Sequence, residues 1–187
     1  MPIDTRDARY TRTAQSLHWI IAALVVTQFL LAYWSNGLPL GIHKLIVLAR
    51  HKSVGMTILM LSVLRLLWRA RHPPPPLPSG MRPIEQRLAR ATHAAFYVLL
   101  FAMPFSGWLM SSAKAYSVSW FGWFTWPDLI GKSEPAFRVL RGVHDIMSFV
   151  LLALAVLHVL AALKHHFRDR DDVLVRMLSF GKTPGRP

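Results

Sequence analysis

The sequence predicts an all-α integral membrane protein, a four-helix bundle with both termini cytoplasmic. Three observations carry that expectation: 53% hydrophobic residues with a positive mean hydropathy, four apolar runs close to bilayer length, and Lys and Arg concentrated in alternate connections. A hydrocarbon core of about 30 Å requires about 20 apolar residues in a helix. Four runs meet that requirement, at about 17–34, 50–68, 91–110 and 144–163, and they leave no second composition that would mark a separate domain.

The 187-residue chain carries 22 Lys plus Arg against 9 Asp plus Glu, a formal charge of +13. A soluble nucleic-acid binder can share that charge, but it has no need of repeated bilayer-length runs, so the charge reads first as topology. The absence of cysteine removes disulfides, iron–sulfur clusters and cysteine-ligated zinc. Metal chemistry is left to His, Met and oxygen ligands.

Span one, LHWIIAALVVTQFLLAYW, follows Arg6, Arg9 and Arg12 as a signal peptide would, but no small-x-small cleavage pattern follows it. It is expected to persist as a transmembrane helix. Between spans two and three lies RARHPPPPLPSGMRPIEQRLAR, where consecutive prolines lack the donors a helix needs and favour a stiff extended arm. Span three contains Pro104, which predicts a bend assisted by Gly107. The connection 111–143 contains SWFGWFTWPDL, whose tryptophans suit a membrane interface. Span four begins at His144.

Orientation follows from the cations. Both tails, the 69–90 connection and Arg65 hold 15 of the 22, and the 35–52 and 111–143 connections hold 7. The richer side is expected to be cytoplasmic. The other side still carries more cations than its acids, Asp128 and Glu134, and a mildly positive mouth attracts small anions.

Depth then sorts the histidines. His18 falls at the inner end of span one, His51 at the outer end of span two and His144 at the outer end of span four. His158 lies fourteen residues after His144, about 21 Å along the axis and just under four turns, so the two share a face at opposite levels. Each level therefore holds two histidines on different helices, His51 with His144 and His18 with His158. Facing imidazoles can supply both axial ligands of a haem iron, so two such pairs predict two haems. The face continues through Ser148, Leu151, Ala155 and Ala162, with bulkier Ile146, Phe149, Val150 and Leu157 elsewhere. In span two, Gly55 sits one turn after His51, and Arg65 lies fourteen residues after it, where it can neutralise haem propionates.

Plainer explanations stand beside these. A lone histidine in an apolar helix can hydrogen-bond a neighbouring helix, small residues can be packing seams, and Arg65 can snorkel to the interface. His93, at the inner start of span three, can bond a quinone carbonyl or simply sit at the interface. His165 and His166 are expected among headgroups, with His165 a fallback for His158, and His43 and His72 are expected to be solvated.

In order, YTRTAQSLHWI, HKSVGMTILMLSVLRLLWR, RLARATHAAFYVLLFAMPFSGWLM and VHDIMSFVLLALAVLHVLAALKHHF resemble the four helices of the bacterial cytochrome b561 family. The resemblance covers nearly the whole chain and implies a single transmembrane cytochrome b domain over 1–187 in the bacterial inner membrane. It implies two b-type haems on His18, His51, His144 and His158, with ubiquinone as electron acceptor. It further implies entry of electrons from a periplasmic donor, with superoxide oxidation as one activity of the family, and so an oxidoreductase with a quinone acceptor. The expected partners are lipid, quinone and a small periplasmic donor, with a protein redox partner left open and nucleic acid excluded. Two other readings remain: a haem-bearing anchor for a quinone-linked dehydrogenase or hydrogenase, and a histidine-dependent transporter or proton relay. The relay is weakened because no span carries an acid near its middle.

Overall fold

The computed structural model describes residues 9–78 and 80–178. Four helices, α1 (Arg12–Gly37), α2 (Ile42–Arg71), α3 (Pro83–Ala113) and α4 (Glu134–Lys164), make up most of it, with a short hairpin, β1 (Ser119–Trp120) and β2 (Phe124–Thr125), between the last two. All four helices are long and apolar enough to cross a membrane. This is the membrane helical bundle that composition and run length predict.

Every helix outruns its apolar span. Hydropathy marks where the chain meets hydrocarbon, whereas a helix continues until its terminal N–H and C=O groups find other partners. Thr11 accepts from the Ala14 amide at 3.3 Å to start α1, and Ser133 accepts from the Ala136 amide at 3.4 Å to start α4. At α3, Pro83 sits in the first turn, where its missing donor is harmless, and Glu85 accepts from the Arg82 amide at 3.2 Å. The connection expected over 35–52 consequently shrinks to four residues, and His43 lies on α2 rather than in a loop, although exposed as anticipated.

The helices pack in sequence, α1 on α2, α2 on α3 and α3 on α4. Ile21, Val54, Ile58 and Leu100 form the buried centre of the first three, with Leu24, Val25, Leu31 and Leu61 against it. By contrast α4 has a single fully buried residue, Leu151, and runs beside α3 with no extensive interface on α1 or α2. Large apolar residues such as Val26, Leu30, Phe149 and Leu160 face outward, as a lipid-solvated surface requires.

The first and last described segments meet at one end of the bundle. The Tyr10 amide and the Gln15 side chain both donate to the Arg176 carbonyl, at 3.3 and 3.0 Å, and the Trp19 indole donates to the Met177 carbonyl at 2.8 Å. Arg176 is buried, paired with Asp172 at 2.9 Å, and donates to the Pro76 carbonyl of the extended proline arm. The hairpin caps the opposite end. Its turn takes positive φ at Phe121 (50°) and Gly122 (81°), closed by the Trp123 amide on the Trp120 carbonyl at 3.0 Å, the pattern of a type I′ turn. It is seated on α2: Ser53 Oγ accepts from the Phe121 amide at 3.0 Å and the Trp120 indole donates to Thr57 Oγ1 at 3.1 Å.

Candidate histidine centre

The inward stripe of α4 holds His144, Ser148, Leu151, Ala155, His158 and Ala162, none of them exposed, whereas Ile146, Phe149, Val150 and Leu157 are. This stripe faces α1 and α2 across the bundle. At the hairpin end His144 meets His51 of α2 with ring centroids 6.5 Å apart, and at the terminal end His158 meets His18 of α1 at 6.3 Å. His93 of α3 also lies beside His158, at 5.8 Å.

These separations carry chemical information. With metal–imidazole nitrogen bonds of about 2.0–2.1 Å and roughly 1.1 Å from nitrogen to ring centre, two rings across one metal stand about 6 Å apart. Both pairs fit that spacing. The His93–His158 spacing fits it as well, but α3 packs directly on α4, so those rings face no broad interhelical space. His18 and His51 oppose α4 across the side where helix–helix packing is slight, which suits a flat macrocycle.

Polar atoms near the hairpin-end pair also suit a group other than lipid or side chain. His51 Nδ1 and Gln28 Oε1 are buried without hydrogen-bond partners, and such orphans are rare in a finished interior. Gly55 keeps that region narrow: a Cβ there would stand 2.9 Å from the Gln28 amide nitrogen. Haem on the two imidazole pairs is thus compatible with the spacing, and at the hairpin end with the polar surroundings as well.

The two pairs differ in hydrogen bonding. Arg65 Nη1 lies 3.0 Å from His18 Nδ1, and a guanidinium can only donate, so Nδ1 accepts and the ring proton resides on Nε2. His144 Nδ1 instead lies 2.9 Å from Ser106 Oγ. Gly107 allows the ring to lie against α3, since a Cβ there would be 3.2 Å from His144 Cε1. Sequence reasoning singled out Pro104 and Gly107 for helix bending and missed Ser106. A polar residue two positions before the end of an apolar FAMPFSGW run was the available signal.

His165 departs from expectation. It is buried, with Nδ1 2.6 Å from Asp171 Oδ2 and 3.2 Å from Asp169 Oδ2. The reason lies just beyond it: the chain widens into a π-turn over His165–Asp169 and reverses at Arg170, in the left-handed region, which brings the Asp169 and Asp171 carboxylates to the ring. His166, expected among headgroups, has a buried Nδ1 without a partner and its ring against Phe167. Exposed His72 stacks on Trp68 at 4.0 Å.

Comparison with known proteins agrees with this architecture. A family model described as prokaryotic cytochrome b561 matches residues 9–180. The chain is similar to cytochrome b561 homolog 2 of Escherichia coli K12, 40% identical over 95% of each chain. It is also similar to a protein of Yersinia pestis named probable superoxide oxidase CybB, at 26% over 91% of this chain and 96% of the relative, and to cytochrome b562 of Cereibacter sphaeroides, at 25% over 93% and 98%. Four membrane-length helices, the internal histidines and a match over nearly the whole chain lead to one conclusion: the chain belongs to the prokaryotic cytochrome b561 family and is a multi-pass bacterial membrane protein that binds haem b.

Proposed function

We propose that the chain carries two b-type haems and passes electrons from a periplasmic donor to ubiquinone, acting as an oxidoreductase of the inner membrane with both termini cytoplasmic. The observation that supports this most is the pair of imidazole couples at opposite ends of the α4 stripe, nearly equal in separation at 6.5 and 6.3 Å. Haem held by these histidines would supply one-electron chemistry.

His51 and His144 hold one haem in this reading, and His18 and His158 the other. Arg65 offers a guanidinium to haem carboxylates at the terminal end, and half-buried His93, beside His158, offers a hydrogen bond to a quinone carbonyl there. The hairpin end faces the periplasm, because the positive-inside rule assigns the 15-cation side to the cytoplasm. Lys44, Arg50, Lys52, Lys114, Lys132, Arg138 and Arg141 give the periplasmic mouth a positive field suited to an anionic donor. Superoxide is such an anion, and one relative carries that activity in its name. Two superoxide ions each give one electron and leave as dioxygen, and ubiquinone takes both electrons with two protons to become ubiquinol.

The test is quinol formation by purified protein in ubiquinone-containing liposomes supplied with superoxide. The reading expects one quinol per two superoxide ions consumed, suppressed by superoxide dismutase. Haem-replete protein that forms no quinol under these conditions, or is reduced only by a co-purifying dehydrogenase subunit, would refute superoxide as the donor.

A further inference from the structure

Among the described residues, Ser106 is a buried serine whose hydroxyl reaches two groups at once: the Met103 carbonyl at 2.8 Å and His144 Nδ1 at 2.9 Å. A hydroxyl has one proton, and the carbonyl can only accept. If Ser106 gave its proton to His144, its contact with Met103 would be left without a hydrogen. If the proton goes to Met103, Ser106 Oγ accepts from an N–H at Nδ1, and every polar atom in the chain Nδ1–H, Oγ–H and C=O is satisfied. Buried groups settle into the fully satisfied arrangement.

That arrangement fixes more than a hydrogen bond. With its proton on Nδ1, His144 has its lone pair on Nε2, the atom left to bind a metal. Gly107 contributes the close approach, because no side chain separates the α3 backbone from the imidazole edge. The ring is thereby held with its edge against α3 in one tautomer. Nothing equivalent serves His18, whose Nδ1 meets a donor rather than an acceptor.

We propose that Ser106 is a positioning residue that selects the metal-binding tautomer of His144 and sets the electron-donating strength of that ligand. The inference rests on the two-haem reading above. An acceptor on the far nitrogen of a ligating imidazole raises its basicity, favouring the oxidised metal and lowering the reduction potential. Removing the hydroxyl should therefore raise the potential of the haem held by His144 and leave the other unmoved.

The experiment compares the intact haem-loaded protein with Ser106→Ala and Ser106→Thr by optical redox titration and low-temperature electron paramagnetic resonance. The haem concerned is identified as the one lost in His144→Ala. The expected result is a higher midpoint potential and a shifted low-spin signal for that haem alone in Ser106→Ala, with both restored in Ser106→Thr. Selective loss of that haem in the alanine variant, with retention in the threonine variant, supports the same role. Unchanged potentials and signals in Ser106→Ala overturn it, as does loss of both haems in both variants, which would make the serine a folding residue. Wild-type protein lacking two low-spin signals would instead refute the two-haem reading and this role with it.

Discussion

Arg65 and His18 meet between α2 and α1, a guanidinium nitrogen 3.0 Å from imidazole Nδ1, whereas the equivalent nitrogen of His144 meets a serine oxygen at 2.9 Å. The two histidine pairs therefore start from opposite proton placements. A ligand that binds metal through Nε2 carries a proton on Nδ1, and at His18 that proton would oppose the Arg65 donor. Haem can be held by His18 only if Arg65 turns elsewhere, and haem carboxylates are the acceptors best matched to it.

Replacing Arg65 by Gln is expected to weaken haem at the terminal end preferentially. Losing a charge-assisted hydrogen bond of about 1.5–3 kcal/mol corresponds to roughly 10- to 100-fold weaker binding. Haem titration of the apoprotein, followed optically, measures this. Equal affinity at both sites in Arg65→Gln would show that the arginine only anchors the helix end.

Gly107 is expected to tolerate no branched side chain. Gly107→Val would press on His144 from a Cβ position 3.2 Å from Cε1, and overpacking of this kind costs about 1–3 kcal/mol. Thermal unfolding in detergent should show the loss, together with reduced haem occupancy at the His51/His144 pair. Gly142, whose added Cβ meets nothing within 4 Å, provides the control, and similar effects at the two positions would remove the steric argument.

The tail after α4 is expected to depend on Asp171. Its carboxylate holds buried His165 at 2.6 Å and also accepts from the Val173 amide at 3.0 Å. Asp171→Ala leaves a buried imidazole nitrogen with poorer bonding, a loss of about 1–3 kcal/mol. Limited proteolysis should then cut beyond residue 164 much faster. The exposed Arg141–Asp145 pair, at 3.8 Å, is a suitable contrast, since its removal should change stability by less than about 1 kcal/mol.

Much of this protein is legible in its sequence because lipid imposes simple rules. Bilayer thickness fixes run length, and the fourteen-residue interval from His144 to His158 fixes a shared face at two depths, where the fold brings His51 and His18 opposite them. Helix ends were not legible, since hydropathy reports the solvent and not the caps at Thr11, Glu85 and Ser133. Ser106 was hidden because serine in a membrane helix usually bonds its own backbone, and only the crossing of α3 and α4 brings His144 to it. His165 was misplaced because the π-turn that follows it folds Asp169 and Asp171 back onto the ring, and apolar periodicity carries no trace of such a turn.

The most direct test of the two-haem centre is a haem-to-protein ratio on purified protein, measured by pyridine haemochrome alongside reduced spectra. The account predicts two b-type haems per chain in the wild type, one in His144→Ala and one in His158→Ala, with different reduced bands retained in the two variants. A wild-type ratio of one or none, or either variant retaining both haems at full occupancy, would contradict it.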